Sequence, residues 1–129
     1  MDKIHLSDAE WEIMNCLWEK PHLTINQLVN ELKEKKNWDK HTIISLLNRI
    51  EKKGGVSYRR NGRAKEYYPL VLKTDIVLQE TKKFLDRVYQ GSLSLLVNSV
   101  LEGTDLSQSE IQELYQVIQD AEKKEARNK

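Results

Sequence analysis

From Leu6 onward, apolar residues recur three and four positions apart, the spacing of one face of an α-helix. Ser7-Asp-Ala-Glu10 has the form of a capping box, in which the serine oxygen accepts an orphan N–H and the glutamate reaches back. Trp11, Met14, Leu17 and Trp18 follow at helical spacing, predicting a helix that stops before Pro21. Cys16 lies near its apolar face and reads as core filler rather than a reactive thiol. Thr24-Ile-Asn-Gln27 repeats the capping pattern, and Ile25, Leu28, Val29 and Leu32 predict a second, shorter helix. A polar break from Lys33 to Asn37 ends at Trp38. Asp39 then caps a third helix with Ile43, Leu46, Leu47 and Ile50 as its buried stripe, closed by Gly54-Gly55.

The period shortens in Val56-Ser-Tyr-Arg-Arg-Asn-Gly-Arg-Ala-Lys-Glu-Tyr-Tyr68. Asn-Gly is a strong hairpin signal because the turn needs positive φ. A turn centred on Asn61-Gly62 sets Arg60 opposite Arg63 and Tyr58 opposite Lys65. Like charges facing each other across a ladder are unfavourable, and a polyanion beside the hairpin reverses that sign. Three short helices followed by a two-stranded wing is the order of a winged helix-turn-helix.

After Pro69-Leu70-Val71 the chain becomes helical again. Asp75 to Tyr89 is predicted as one helix, with Ile76, Leu78, Phe84, Leu85 and Val88 on its apolar side. Gly91 breaks it. Leu93, Leu95, Leu96, Val97, Val100 and Leu101 make the next helix apolar over most of its circumference. Ser107-Gln-Ser-Glu110 caps a last helix bearing Ile111, Leu114, Tyr115, Ile118 and Ala121. Three such helices in under about sixty residues have too little chain to cover that surface. Homodimerisation through Phe84, Leu85, Val88, Leu93, Leu96, Val97, Val100, Ile111, Leu114 and Ile118 is expected, the alternative being a bundle folded back on the first domain. The fold class is therefore mostly α, with a winged-helix DNA-binding domain over 1–71 and a three-helix dimerisation domain over 72–129.

The overall charge of +1 hides an asymmetry. Lys33 to Tyr68 holds eleven Lys/Arg against four Asp/Glu, whereas the residues beyond Val71 hold eight against ten. A basic stripe within an otherwise balanced chain is the electrostatic footprint of a nucleic-acid binder. Cys16 is the single cysteine, and His5, His22 and His41 are scattered without metal-ligand spacing. Nucleophile motifs and phosphate loops are missing too, so the expectation is no enzyme, no metal and no cofactor. No apolar run approaches the roughly 18 residues that span a bilayer, and the start lacks an apolar signal region, which together predict a cytoplasmic protein without membrane binding.

The outward face of the third helix carries His41, Thr42, Ile44, Ser45, Asn48, Arg49 and Lys52. In a winged helix this element enters the major groove with its N-terminal half toward the bases. Thr42 and Ser45 are short enough for close approach, and His41 and Arg49 can donate to phosphates or base edges. Arg60, Arg63 and Lys65 supply the wing. Ile44 is either the edge of the core or an apolar contact to a thymine methyl. Two other classes of function share parts of this pattern: an architectural binder without sequence preference, and a protein-interaction module on a winged-helix scaffold.

The segments LSDAEWEIMNCLWE (6–19), W-x-x-x-T-I (38–43), L-x-R-I-x-K-K-G (47–54), GRAKEYYPL (62–70), FLDRVYQGSL (84–93) and LSQSEIQELYQVI (106–118), in this order, resemble the BlaI/MecI/CopY family of bacterial repressors over nearly the full length. Within it the penicillinase and methicillin-resistance branch is the nearer one, because the copper-responsive branch needs a cysteine-rich tail. The resemblance implies a homodimer on an inverted-repeat operator, repressing resistance genes of the β-lactamase type. It also implies relief by cleavage in the tail through a membrane sensor-protease pathway, unless a different signal controls this repressor. It carries DNA contacts onto His41, Thr42, Ile44 and Ser45 of the recognition helix and Arg60 and Arg63 of the wing. His41 stands where the pattern has Lys, and Ile44 where it often has a polar or basic residue. The family's Asn-Phe scissile pair falls on Ser99-Val100. Operator sequence, regulated genes and inducer are not legible in the residues.

Overall fold

A computed structural model describes residues 4–128. Six helices and one hairpin follow in the order α1 (Asp8–Glu19), α2 (Ile25–Leu32), α3 (Lys40–Lys53), β1 (Val56–Asn61), β2 (Ala64–Pro69), α4 (Lys73–Tyr89), α5 (Leu93–Gly103) and α6 (Gln108–Arg127). The caps are those the sequence predicts. Ser7 and Thr24 each head a complete capping box, Asp39 Oδ1 accepts the Thr42 N–H at 2.9 Å, and Ser107 with Glu110 closes a third box. Gly54 ends α3 in the left-handed conformation. Gly55 serves a different need: a Cβ there would meet Ile50 Cγ2 at 2.7 Å and Ile4 Cδ1 at 3.2 Å, so the chain turns away from α3 at close packing distance.

The chain divides into two compact units, Met1–Lys83 and Phe84–Lys129. In the first, α1, α2 and α3 pack around Ile13, Met14, Leu17, Leu28, Ile43, Leu47 and Ile50, with Val56 and Tyr67 closing the core from the hairpin. The α3 stripe is buried as its spacing predicts. On α1 the fully buried apolar residues are Ile13, Met14 and Leu17, whereas Trp11 and Trp18 are half-buried because indole is too large to be enclosed at the edge of so small a core. Cys16 is half-buried against the core, and burial raises its thiol pKa, as expected of an inert filler. A bridge missed in the sequence adds Leu23 to the sheet: it exchanges backbone hydrogen bonds with Tyr67 at 2.8 and 3.0 Å.

Two expectations are corrected here. The hairpin pairs Asn61 with Ala64, Arg60 with Lys65, Arg59 with Glu66 and Tyr58 with Tyr67, so the turn is Gly62-Arg63, one residue later than expected. Gly62 has φ 66, and Asn61 is not among the residues with positive φ. That is a turn with glycine at its first central position, one of the two hairpin turns compatible with strand twist. Val56 and Tyr67 share a face in either register; the observed one sets Arg59 opposite Glu66, which accepts from its Nε at 2.9 Å, where the expected one would set Arg59 opposite Ala64. The second correction concerns α4. Ile76 is 1% exposed within the core of the first unit, while Leu78 is 69% exposed. The first turns of α4 are held by Gln79 Nε2, which donates to the Ile4 carbonyl at 2.8 Å, and by His5 Nδ1 at 3.3 Å from Glu80. The start of α4 thus belongs with the head, beyond the Val71 boundary taken from composition.

In the second unit, no described residue from Phe84 to Asn128 is buried. Phe84, Val88, Leu93, Val97, Val100, Leu114 and Ile118 are exposed, and Leu85, Leu96 and Ile111 are half-buried. Among the described residues no helix is long and apolar enough to cross a membrane.

Candidate nucleic-acid interface

The exposed side of α3, the start of α2 and strand β2 frame an open cleft of about 470 Å³. Lys40, Ile44 and Asn48 line it from α3, Thr24, Ile25 and Asn26 from α2, and Arg63, Ala64, Lys65 and Tyr67 from the hairpin. Of the expected contacts, the cleft gathers Ile44, Arg63 and Lys65. His41, Ser45 and Arg49 are exposed on α3 outside it, and Thr42 is half-buried. Ile44 is also half-buried, with Ile43 rather than Ile44 in the core. Asp39 ties down the first turn of α3: hydrogen bonds from the Thr42 N–H, and then from its hydroxyl, hold the carboxyl below its usual range.

The wing solves its charge problem locally. Arg60 and Lys65 face each other across the ladder, and both cations lie over the Tyr58 ring, Lys65 Nζ at 4.5 Å and Arg60 Cζ at 6.0 Å from its centroid. An aromatic face attracts cations through its quadrupole, which offsets part of their mutual repulsion. On the other face, Glu66 accepts from Arg59 Nε at 2.9 Å and from Asn61 Nδ2 at 3.1 Å. Those two hydrogen bonds, Asn61 first, keep the Glu66 carboxyl below its ordinary value. Arg59 is therefore paired within the hairpin, while Arg60, Arg63 and Lys65 surround its tip.

At the other end of α3, Glu10 accepts hydrogen bonds from the Ser7 N–H at 2.8 Å and from the Lys53 ammonium, with Arg49 Nε at 3.6 Å. Burial raises its pKa, and Lys53 and Ser7 together outweigh burial, so the net shift is downward. Sequence reading missed this cluster, since Glu10 looked like an ordinary capping residue. It also missed Lys40 and the α2 start as cleft walls, because only the packing of α2 on α3 brings them there. Among the described residues no three His, Cys, Asp or Glu side chains converge as a metal site.

Residues 6–120 match the family described as "Penicillinase repressor". The chain belongs to that family. Family membership is supported along most of the length by a methicillin resistance regulatory protein, MecI, of Staphylococcus aureus (strain N315), which is 37% identical over 88% of this chain and 92% of that protein. A penicillinase repressor of Bacillus licheniformis is 36% identical over 93% of this chain and 94% of that protein. Among solved structures, the DNA binding domain of the repressor BlaI superposes with a TM-score of 0.52 at 34% identity, covering 58% of this chain and 93% of that chain. The monomeric form of Bacillus licheniformis BlaI in complex with the blaP half-operator gives a TM-score of 0.51 at 33% identity, with the same coverage. The winged-helix fold of the first unit is that of these repressors.

Proposed function

We propose that this chain is a cytoplasmic transcriptional repressor that binds an inverted-repeat operator as a homodimer and controls resistance genes of the β-lactamase type. The observation that carries the reading is the exposed face of α3 and the basic wing tip, set around one open cleft in a fold shared with a repressor solved on its half-operator. α3 supplies base-edge contacts through His41, Thr42, Ile44 and Ser45, and Arg49, Arg60, Arg63 and Lys65 neutralise phosphates. The largely exposed apolar surface of α5 and α6 supports dimerisation, since a second copy would bury it. Titrating the full chain against palindromic and scrambled duplexes at fixed salt tests the reading. Equal affinity for both would make it an architectural binder instead.

Relief of repression is proposed to follow cleavage at Ser99-Val100. Both residues are exposed but lie within α5, so a protease that takes extended substrate needs this helix to open locally first.

The wing is expected to supply affinity rather than specificity. Arg60→Ala and Arg63→Ala should each flatten the log–log salt dependence of binding by roughly one unit, weakening operator and random DNA together. A change in base preference at constant slope would remove the wing from that role. Ile44→Ala is expected to lose discrimination at one A·T pair, by about 1–3 kcal/mol at most. A lower melting temperature with unchanged DNA preference would place Ile44 in the core edge alone.

A further inference from the structure

Glu10 is 1% exposed and is the one buried charged side chain among the described residues. Capping alone does not explain its surroundings. The boxes at Thr24/Gln27 and Ser107/Glu110 cap α2 and α6 with their distal residues, Gln27 and Glu110, in solvent. Glu10 instead meets two cations, both from α3. Its Oε1 takes the Ser7 N–H and the Lys53 ammonium, and Oε2 faces Arg49 Nε. Lys53 is further anchored by donating to the His5 carbonyl at 2.8 Å. Left without such partners, a buried carboxylate is strongly unfavourable, so the carboxylate and α3 constrain each other.

Arg49 lies one helical turn beyond Ser45 and is 59% exposed. Its guanidinium is a rigid plane with five donors, and an ion pair at 3.6 Å, longer than a hydrogen bond, draws its Nε edge toward Glu10 and leaves the terminal amino groups free. We infer that Glu10 is a positioning residue for DNA recognition: through the ion pair at Nε it orients the Arg49 guanidinium so that its terminal amino groups meet a backbone phosphate, without itself touching the duplex. The inference rests on the DNA-binding reading of α3 and gives that reading a buried determinant.

The test is the salt dependence of duplex binding by the full chain and by Arg49→Ala, Glu10→Gln and the double variant. Glutamine keeps an oxygen for the Ser7 N–H and for Lys53. Arg49→Ala is expected to flatten the slope by about one unit. Glu10→Gln should reproduce most of that loss with Arg49 still present, and the double variant should add nothing further, the non-additivity expected of two groups acting as one. A wild-type slope in Glu10→Gln, or additive losses, would overturn the inference. Glu10→Gln combined with Lys53→Met removes the carboxylate charge and its ammonium partner together, and separates orientation from folding. The same flattened slope supports the inference, and a restored slope overturns it. If Arg49→Ala leaves the slope unchanged, the inference fails while the repressor reading stands. If the unaltered chain shows no preference for the palindrome, both fail.

Discussion

Residues 1–83 on their own are expected to bind a single half-operator about as well as the intact chain and to lose on the order of 10²–10⁴-fold on the full palindrome. Two recognition helices must stand one DNA turn apart, or a multiple of it, for both half-sites to be read together. In the proposed dimer the surface that would hold them there is that of α5 and α6, most of whose apolar residues are exposed. The fragment must run to Lys83 rather than stop at the hairpin. Ile76 completes the head core, Gln79 holds the Ile4 carbonyl, and Trp18 Nε1 donates to the Val71 carbonyl at 3.0 Å. Losing Ile76 would leave a cavity in a small core, which costs about 2–5 kcal/mol for a large aliphatic residue and would confuse unfolding with lost linkage. Sedimentation of the fragment and its titration on whole and half-operators check the prediction. A dimeric fragment, or palindrome affinity equal to the full chain's, would show that α5 and α6 do not provide the linkage. Cleavage in α5 would have the same consequence for an operator as this truncation, emptying it while every contact to the bases is still possible.

A bulky side chain at Ser45 should cost nearly as much by another route. Ser45 is exposed on α3, so Ser45→Trp leaves the core untouched. The indole would hold the helix off the base edges, while Arg60, Arg63 and Lys65 continue to attract phosphate. Operator affinity is then expected to fall to the level of random DNA, a gap of at least about 10³-fold for a specific binder of this kind. Random-sequence binding and its salt slope should remain close to wild type. A variant that still prefers the palindrome would mean that α3 does not lie in the groove at Ser45.

Much of the architecture follows from local chemistry. Ser7, Thr24, Asp39 and Ser107 cap helices where their side chains predict, because a cap needs only a short oxygen-bearing side chain and the N–H groups two or three residues on. The α3 stripe from Ile43 to Ile50 is legible for the same reason: helical periodicity is a property of the chain alone. The basic excess between Lys33 and Tyr68 likewise needs no coordinates.

What tertiary structure decided are choices between local alternatives of similar energy. Asn61-Gly62 and Gly62-Arg63 are both acceptable turns, and the second is the one that sets Arg59 opposite Glu66 and Tyr58 opposite Tyr67. Ile76 and Leu78 are equally apolar in sequence, yet only Ile76 faces the head core. Glu10 has the same local pattern as Glu110, but α3 brings Lys53 and Arg49 to it and leaves Glu110 in solvent. For Ile76 and Glu10 the deciding partner is remote in sequence, and desolvation, which depends on what the whole fold excludes from water, sets the outcome.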